Sequence, residues 1–258
     1  MDAEELTVTL IQTSLSWHDA ETNLLNISDK IAEIPTKTDL IVLPEMFTSG
    51  FTMKPEEVAE AMDGPTVQWM QKTAASKNAA ICGSIVIKEN NHFCNRFLFV
   101  EPNGAISYYD KKHTFTLAGE DKVYKAGAEK KIITYKGWKI APLICYDLRF
   151  PVWSRNTNDY DVLLYVANWP EPRVNAWDAL LKARAIENMA YCIGVNRVGK
   201  DNNGHNYVGH SAAYNSLGDP MVFMNREETA TVVLLKASLK SNREKLRFLE
   251  DRDHFILK

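Results

Sequence analysis

Three apolar segments, each too short for an ordinary helix and each ending abruptly in a polar residue, constrain the fold of this chain more than any other feature. They are Asp39-Leu-Ile-Val-Leu-Pro before Glu45, Trp138–Ile144 before Cys145, and Asp161–Ala167 before Asn168. Their apolar residues are consecutive rather than alternating, so they read as strands buried on both faces. Such strands belong to sheets covered by helices, where chemistry collects at the C-terminal strand ends. Glu45, Cys145 and Asn168 stand at three such ends, and distance along the chain does not prevent them from meeting in space.

The rest of the pattern fits this class. Residues 6–12 alternate as a strand, and residues 19–34 carry Leu24, Leu25, Ile27 and Ile31 at helical spacing. Residues 65–77 read as a helix with Pro65 in its first turn. Ala79–Ile87, Phe93–Val100 and Ala105–Asp110 read as strands joined at Asn90-Asn91 and Pro102-Asn103-Gly104. Lys131–Tyr135 and Trp138–Ile144 flank Gly137 as a hairpin, and Asn175–Met189 is a long helix. Tyr191–Asn196, Ser211–Asn215, Met221–Met224 and Thr229–Leu235 read as strands, followed by a polar helix or tail over 236–248. No linker interrupts residues 1–258, so one α/β domain with two mixed sheets covered by helices is expected.

Composition excludes several classes of function. The net charge is -3 and no basic block occurs, so nucleic acid is not an expected partner. No run of ~18 apolar residues exists to span a membrane. The acidic start, Met-Asp-Ala-Glu-Glu, is not a secretory signal. Cys82, Cys94, Cys145 and Cys192 form no CxxC pair, which points to free thiols in a reducing cytoplasm. His205 and His210 lack a common metal spacing, and no phosphate-binding glycine motif occurs. Neither a metal nor a cofactor is expected.

A strand that runs into a sharp turn can present a thiol beside free backbone N–H groups, the logic of a nucleophile elbow. Cys145, followed by Tyr-Asp-Leu-Arg, fits that description, with the Tyr146 N–H as a candidate oxyanion donor. A lone strand cysteine is otherwise ordinary core. Glu45 is an exposed loop charge or, if enclosed, a general base with a raised pKa. Lys111 and Lys112 form a pair of which alternation turns only one inward, where it would favour the thiolate and an oxyanion. His113 offers a competing Cys-His scheme.

Taken together, the segments resemble the nitrilase superfamily, the carbon–nitrogen hydrolases. The matching pieces are Leu-Pro-Glu45-Met-Phe, Tyr-Asp-Lys111-Lys-His-Thr-Phe, Gly119-Glu120, Leu-Ile-Cys145-Tyr-Asp-Leu-Arg-Phe-Pro, Ala167-Asn-Trp-Pro and Lys182-Ala-Arg184-Ala-Ile-Glu-Asn188. They fall in family order over most of the chain. The resemblance implies an αββα sandwich and a Glu45–Lys111–Cys145 triad, with Glu120 positioning lysine and substrate. It selects Lys111 over Lys112. Thr114 departs from the leucine common in the family. The resemblance also implies at least a homodimer, and a mechanism in which replacing Lys111 harms rate more than fold.

The segment Asn168-Trp-Pro-Glu-Pro-Arg173-Val-Asn-Ala-Trp177 looks like the bacterial omega-amidase branch, which releases ammonia from the terminal amide of small dicarboxylic monoamides such as 2-oxoglutaramate. An arginine facing the site would hold the distal carboxylate, with Arg173 the first candidate and Arg149 the second. Phe47, Trp169 and Trp177 are candidate pocket walls, although aromatic residues are equally at home in a core. An N-carbamoyl amide hydrolase, an aliphatic amidase or a nitrilase would use the same triad. A catalytically silent binding protein on this fold is the alternative from another class.

Overall fold

A computed structural model describes residues 3–34 and 37–256. The first half of the chain builds one sheet from β1 (Glu5–Gln12), β2 (Leu40–Val42), β3 (Ala80–Glu89), β4 (His92–Val100) and β5 (Ile106–Asp110). The second half builds another from β6 (Ile133–Tyr135), β7 (Trp138–Ile144), β8 (Val162–Ala167) and β9 (Tyr191–Asn196). A small hairpin of β10 (Val198–Lys200) and β11 (Asn206–Val208) follows, and β12 (Ser211–Tyr214) and β13 (Pro220–Met224) complete the second sheet. Finally β14 (Glu228–Leu235) crosses back and pairs antiparallel with β1 along its whole length. The orders are β14-β1-β2-β3-β4-β5 and β13-β12-β9-β8-β7-β6. Both sheets mix parallel and antiparallel pairs.

Period-two alternation assigns the faces of the first sheet. Leu6, Val8, Leu10, Ala80, Cys82, Phe97 and Phe99 face the second sheet and share its core. Ile11, Ile81, Ile85, Leu98 and Val100 face outward, against Ile27 and Ile31 of α1 (Ala20–Ala32) and Val67, Met70 and Ala74 of α2 (Pro65–Lys77). Two short helices follow, α3 (Glu120–Val123) and α4 (Pro151–Ser154). In the second sheet every residue of β8 is buried, because Trp177, Leu181 and Ala185 of α5 (Val174–Asn188) cover its far face. Leu239 of α6 (Lys236–Leu246) joins the same core. The layers are therefore helix, sheet, sheet, helix. No helix among the described residues is long and apolar enough to cross a membrane.

Two readings of the sequence change. The buried face of α1 is Asn23, Ile27 and Ile31, while Leu25 is 61% exposed. Asn23 belongs inside because its amide donates to Ser16 O and Thr48 O, at 2.8 and 2.9 Å. The β10–β11 hairpin had no signature, because its segment is polar and turn-rich rather than alternating.

Candidate active site

Glu45, Lys111 and Cys145 follow the ends of β2, β5 and β7, and the sandwich brings these ends together. Two of the turns involved are strained. Cys145 and Met46, the residue after Glu45, have φ of 42° and 43°. Such angles cost a non-glycine residue about 1–3 kcal/mol and mark sites that their surroundings over-determine. At Cys145 the strand breaks into a single 3₁₀ turn, Cys145–Arg149, whose first N–H groups have no acceptor within the turn.

Lys111 is in register with Asn95, its N–H donating to Asn95 O at 3.0 Å. It therefore shares the inner face with Asn95 and Tyr109, and only 1% of its side chain is exposed. Its Nζ donates to Glu45 Oε1 at 2.9 Å and to Glu120 Oε1 and Oε2 at 3.0 and 2.9 Å. Both carboxylates are fully buried. Asn95 Nδ2 donates to Glu45 Oε1 at 2.8 Å, and the Asn168 N–H donates to Glu45 Oε2 at 2.8 Å. The Phe115 N–H donates to Glu120 Oε2 at 2.5 Å. Lys112 points elsewhere, its ammonium over the Trp153 ring.

The electrostatics follow from enclosure. The pair of carboxylates holds the Lys111 ammonium well above the ordinary lysine range, against the opposing effect of burial. Burial, and then the Glu45 charge, push Glu120 upward, while Lys111 opposes them. Burial pushes the Cys145 thiol well above its ordinary value; Glu45 and Glu120 push the same way, and Lys111 pulls it back. Enclosure therefore disfavours a free thiolate at this position.

Cys145 and Lys111 open onto a cavity of about 270 Å³. Tyr146, Arg149, Trp169 and Arg173 line it, and the β10–β11 hairpin adds Asn203, His205 and Tyr207. Arg149 stacks over Trp169 at 4.9 Å and Arg173 over Phe115 at 5.2 Å. Asp201 also lines the cavity, but its carboxylate accepts from the Asn203 and His205 N–H groups and the Tyr207 hydroxyl, and among the described residues neither arginine has an ion-pair partner.

Two expected pocket walls belong to the core instead. After the turn at Met46, Phe47 enters the outer core beside Trp69, with ring centroids 6.1 Å apart. Trp177 is sealed on α5, donating from Nε1 to His210 O at 2.8 Å, and it backs Trp169 from behind. His113 is also off the cavity lining. Its Nδ1 lies 2.7 Å from Asp147 Oδ1 and its ring stacks on Phe150.

Sequence reasoning missed Asn95, Asp147 and the hairpin residues. Asn95 had a readable signal, a polar residue in phase with Phe97 and Phe99 on the inner face of its strand. The hairpin residues had none.

The carbon-nitrogen hydrolase family model matches residues 7–244. The chain is 47% identical over 254 residues to the omega-amidase YafV of Escherichia coli K12, covering 98% of each chain. It is 33% identical over 227 residues to the 2-oxoglutaramate amidase of Bacillus subtilis, covering 86% of this chain and 87% of that one. The crystal structure of XC1258 from Xanthomonas campestris, a CN-hydrolase superfamily protein, superposes with a TM-score of 0.97 at 41% identity, covering 99% of this chain and 100% of the other. With an αββα sandwich, an enclosed Glu–Lys–Cys cluster and a family match along nearly all its length, this chain belongs to the carbon–nitrogen hydrolases of the nitrilase superfamily and is a hydrolase of carbon–nitrogen bonds.

Proposed function

We propose that the protein is an omega-amidase that releases ammonia from the terminal amide of small dicarboxylic monoamides, with 2-oxoglutaramate the model substrate, through a thioester on Cys145. One observation carries this reading. The Cys145 thiol opens onto a cavity that holds Arg149 and Arg173 without an ion-pair partner among the described residues, with Lys111 and its two glutamates on the nucleophile side. The cavity thus pairs a nucleophile with a cationic end suited to a carboxylate. The arsenic adduct in the active site of the Xanthomonas relative is in keeping with a soft thiolate there.

The chemistry runs in two halves. Glu45 takes the thiol proton as sulfur bonds to the amide carbon, so no free thiolate has to persist in this buried setting. The carbonyl electrons move onto oxygen, where Lys111 and the Tyr146 N–H stabilise them. The oxyanion collapses, the C–N bond breaks, and the proton on Glu45 goes to the departing ammonia. Water then enters, Glu45 removes its proton, and hydroxide adds to the thioester. Collapse breaks the C–S bond, and the proton returns to sulfur. Glu120 and Asn95 hold Lys111 and Glu45 throughout. Arg173, with Arg149, binds the distal carboxylate.

The test is ammonia release from 2-oxoglutaramate, succinamate, glutamine, an N-carbamoyl amino acid and a nitrile, with mass spectrometry of trapped enzyme. Turnover of the first two and an acyl adduct on Cys145 are expected. No turnover of either removes the omega-amidase reading. No adduct with any substrate, and an active Cys145→Ala variant, remove the thioester. The proposal extends to at least a dimer in solution, read by sedimentation.

A further inference from the structure

Lys111 and Cys145 belong to different sheets, so their separation depends on how the two sheets are joined at this end. Two polar joins stand beside them: Asn168, whose N–H donates to Glu45 Oε2 at 2.8 Å, and the Asp147 carboxylate. Asp147 is fully buried, two residues after the nucleophile position. Its Oδ2 accepts from the Ile144 N–H at 3.0 Å, which anchors the strand end in front of Cys145. The same oxygen accepts from the Tyr109 hydroxyl at 2.8 Å, two residues before Lys111. Its Oδ1 accepts from the His113 N–H at 3.0 Å and lies 2.7 Å from His113 Nδ1. The Tyr109 oxygen accepts in turn from the Lys112 N–H at 3.2 Å and from Trp153 Nε1 at 3.1 Å.

We propose that Asp147 is a positioning residue which, through Tyr109 and the His113 backbone, clips the Lys111 segment of one sheet to the Cys145 elbow of the other. This rests on the reading of Cys145 as nucleophile. Four donors converge on two oxygens, so only a group that accepts at both ends satisfies them all. An amide of the same shape would turn an N–H₂ toward two of those donors and loosen one side of the clip. The elbow would then relax relative to Lys111. Misplacement by about 1 Å costs on the order of 100-fold in rate. Substrate binding, which uses the arginine end of the cavity, would change little.

The experiment compares Asp147→Asn and Tyr109→Phe with wild type in amide turnover and in the pH dependence of Cys145 alkylation by iodoacetamide, read by mass spectrometry. The expected result for Asp147→Asn is a kcat about 100-fold lower with KM little changed. Its alkylation midpoint moves away from the wild-type value, because the distances from the sulfur to Lys111, Glu45 and Glu120, all of which act on it, change together. Tyr109→Phe removes one arm of the clip and gives a smaller change in the same direction. It decides the matter if Asp147→Asn does not fold. An unchanged kcat and midpoint in the folded variants, with wild-type Cys145 alkylated, overturn the positioning role alone. A wild-type Cys145 that resists alkylation at every pH overturns the nucleophile reading and this role with it.

Discussion

Lys111 Nζ donates to Glu45 Oε1 at 2.9 Å with both side chains sealed from solvent. The lysine is therefore part of the fold as well as of the proposed reaction. Removing one partner of a buried pair costs about 3–5 kcal/mol. Here the partner left behind is double, because Glu120 depends on the same ammonium. Lys111→Ala should lose activity and also unfold at markedly lower urea, measured by circular dichroism beside ammonia release. This revises the expectation from the sequence that rate would suffer more than fold. A wild-type midpoint in that variant would restore the earlier expectation.

The two cavity arginines should separate binding from chemistry. Arg173→Met should raise KM for an anionic amide about 10- to 100-fold, the value of a charge-assisted pair. It should leave kcat, and turnover of a neutral aliphatic amide, nearly unchanged. Arg149→Met tests the second candidate in the same assay. Equal losses on charged and neutral amides would assign both residues to structure.

Stability should fall on the alkaline side. Burial holds Cys82, Cys94, Cys145 and Cys192 above the ordinary thiol value of 9.0, and Tyr109, Tyr160 and Tyr165 above the ordinary phenol value of 10.0. The folded state therefore keeps protons that the unfolded chain releases, and stability declines as pH passes the unfolded values. Calorimetry from pH 7 upward should show a Tm that drops beyond pH 9.0 and more steeply beyond 10.0. A flat profile across that window would contradict the enclosure of these groups.

Gly127 bears on the site from outside it. Its N–H donates to Lys111 O at 2.8 Å, and a Cβ there would overlap the Asp110 carbonyl. Gly127→Ala must push the end of β5 away and move Lys111. It should cost about 1–3 kcal/mol and lower kcat more than KM. Kinetics and thermal denaturation together check this.

Much of the architecture was legible in the chain because burial writes itself into local order. Consecutive apolar residues ending at Glu45, Cys145 and Asn168 marked strands covered on both faces, and Leu6, Val8 and Leu10 marked the inner face of β1. The chemistry came from a different source: the segments around Glu45, Lys111 and Cys145, taken singly, left alternatives open, and their order along the chain carried the resemblance that implied the triad. Other assignments failed where aromatic residues had more than one possible burial. Phe47 and Trp177 are as apolar as Trp169, yet only Trp169 reaches the cavity.

By itself, then, the sequence determined most of the strands, the long helices, the family and the candidate residues Glu45, Lys111, Glu120 and Cys145. Only the tertiary structure decided the rest of their company: Asn95 donating to Glu45, Asp147 bridging the sheets, and a polar hairpin carrying His205 over the cavity. Hydrophobic periodicity is a local property and survives in the sequence. Contacts between residues of two different sheets depend on how those sheets stack, and that is set by the whole core at once.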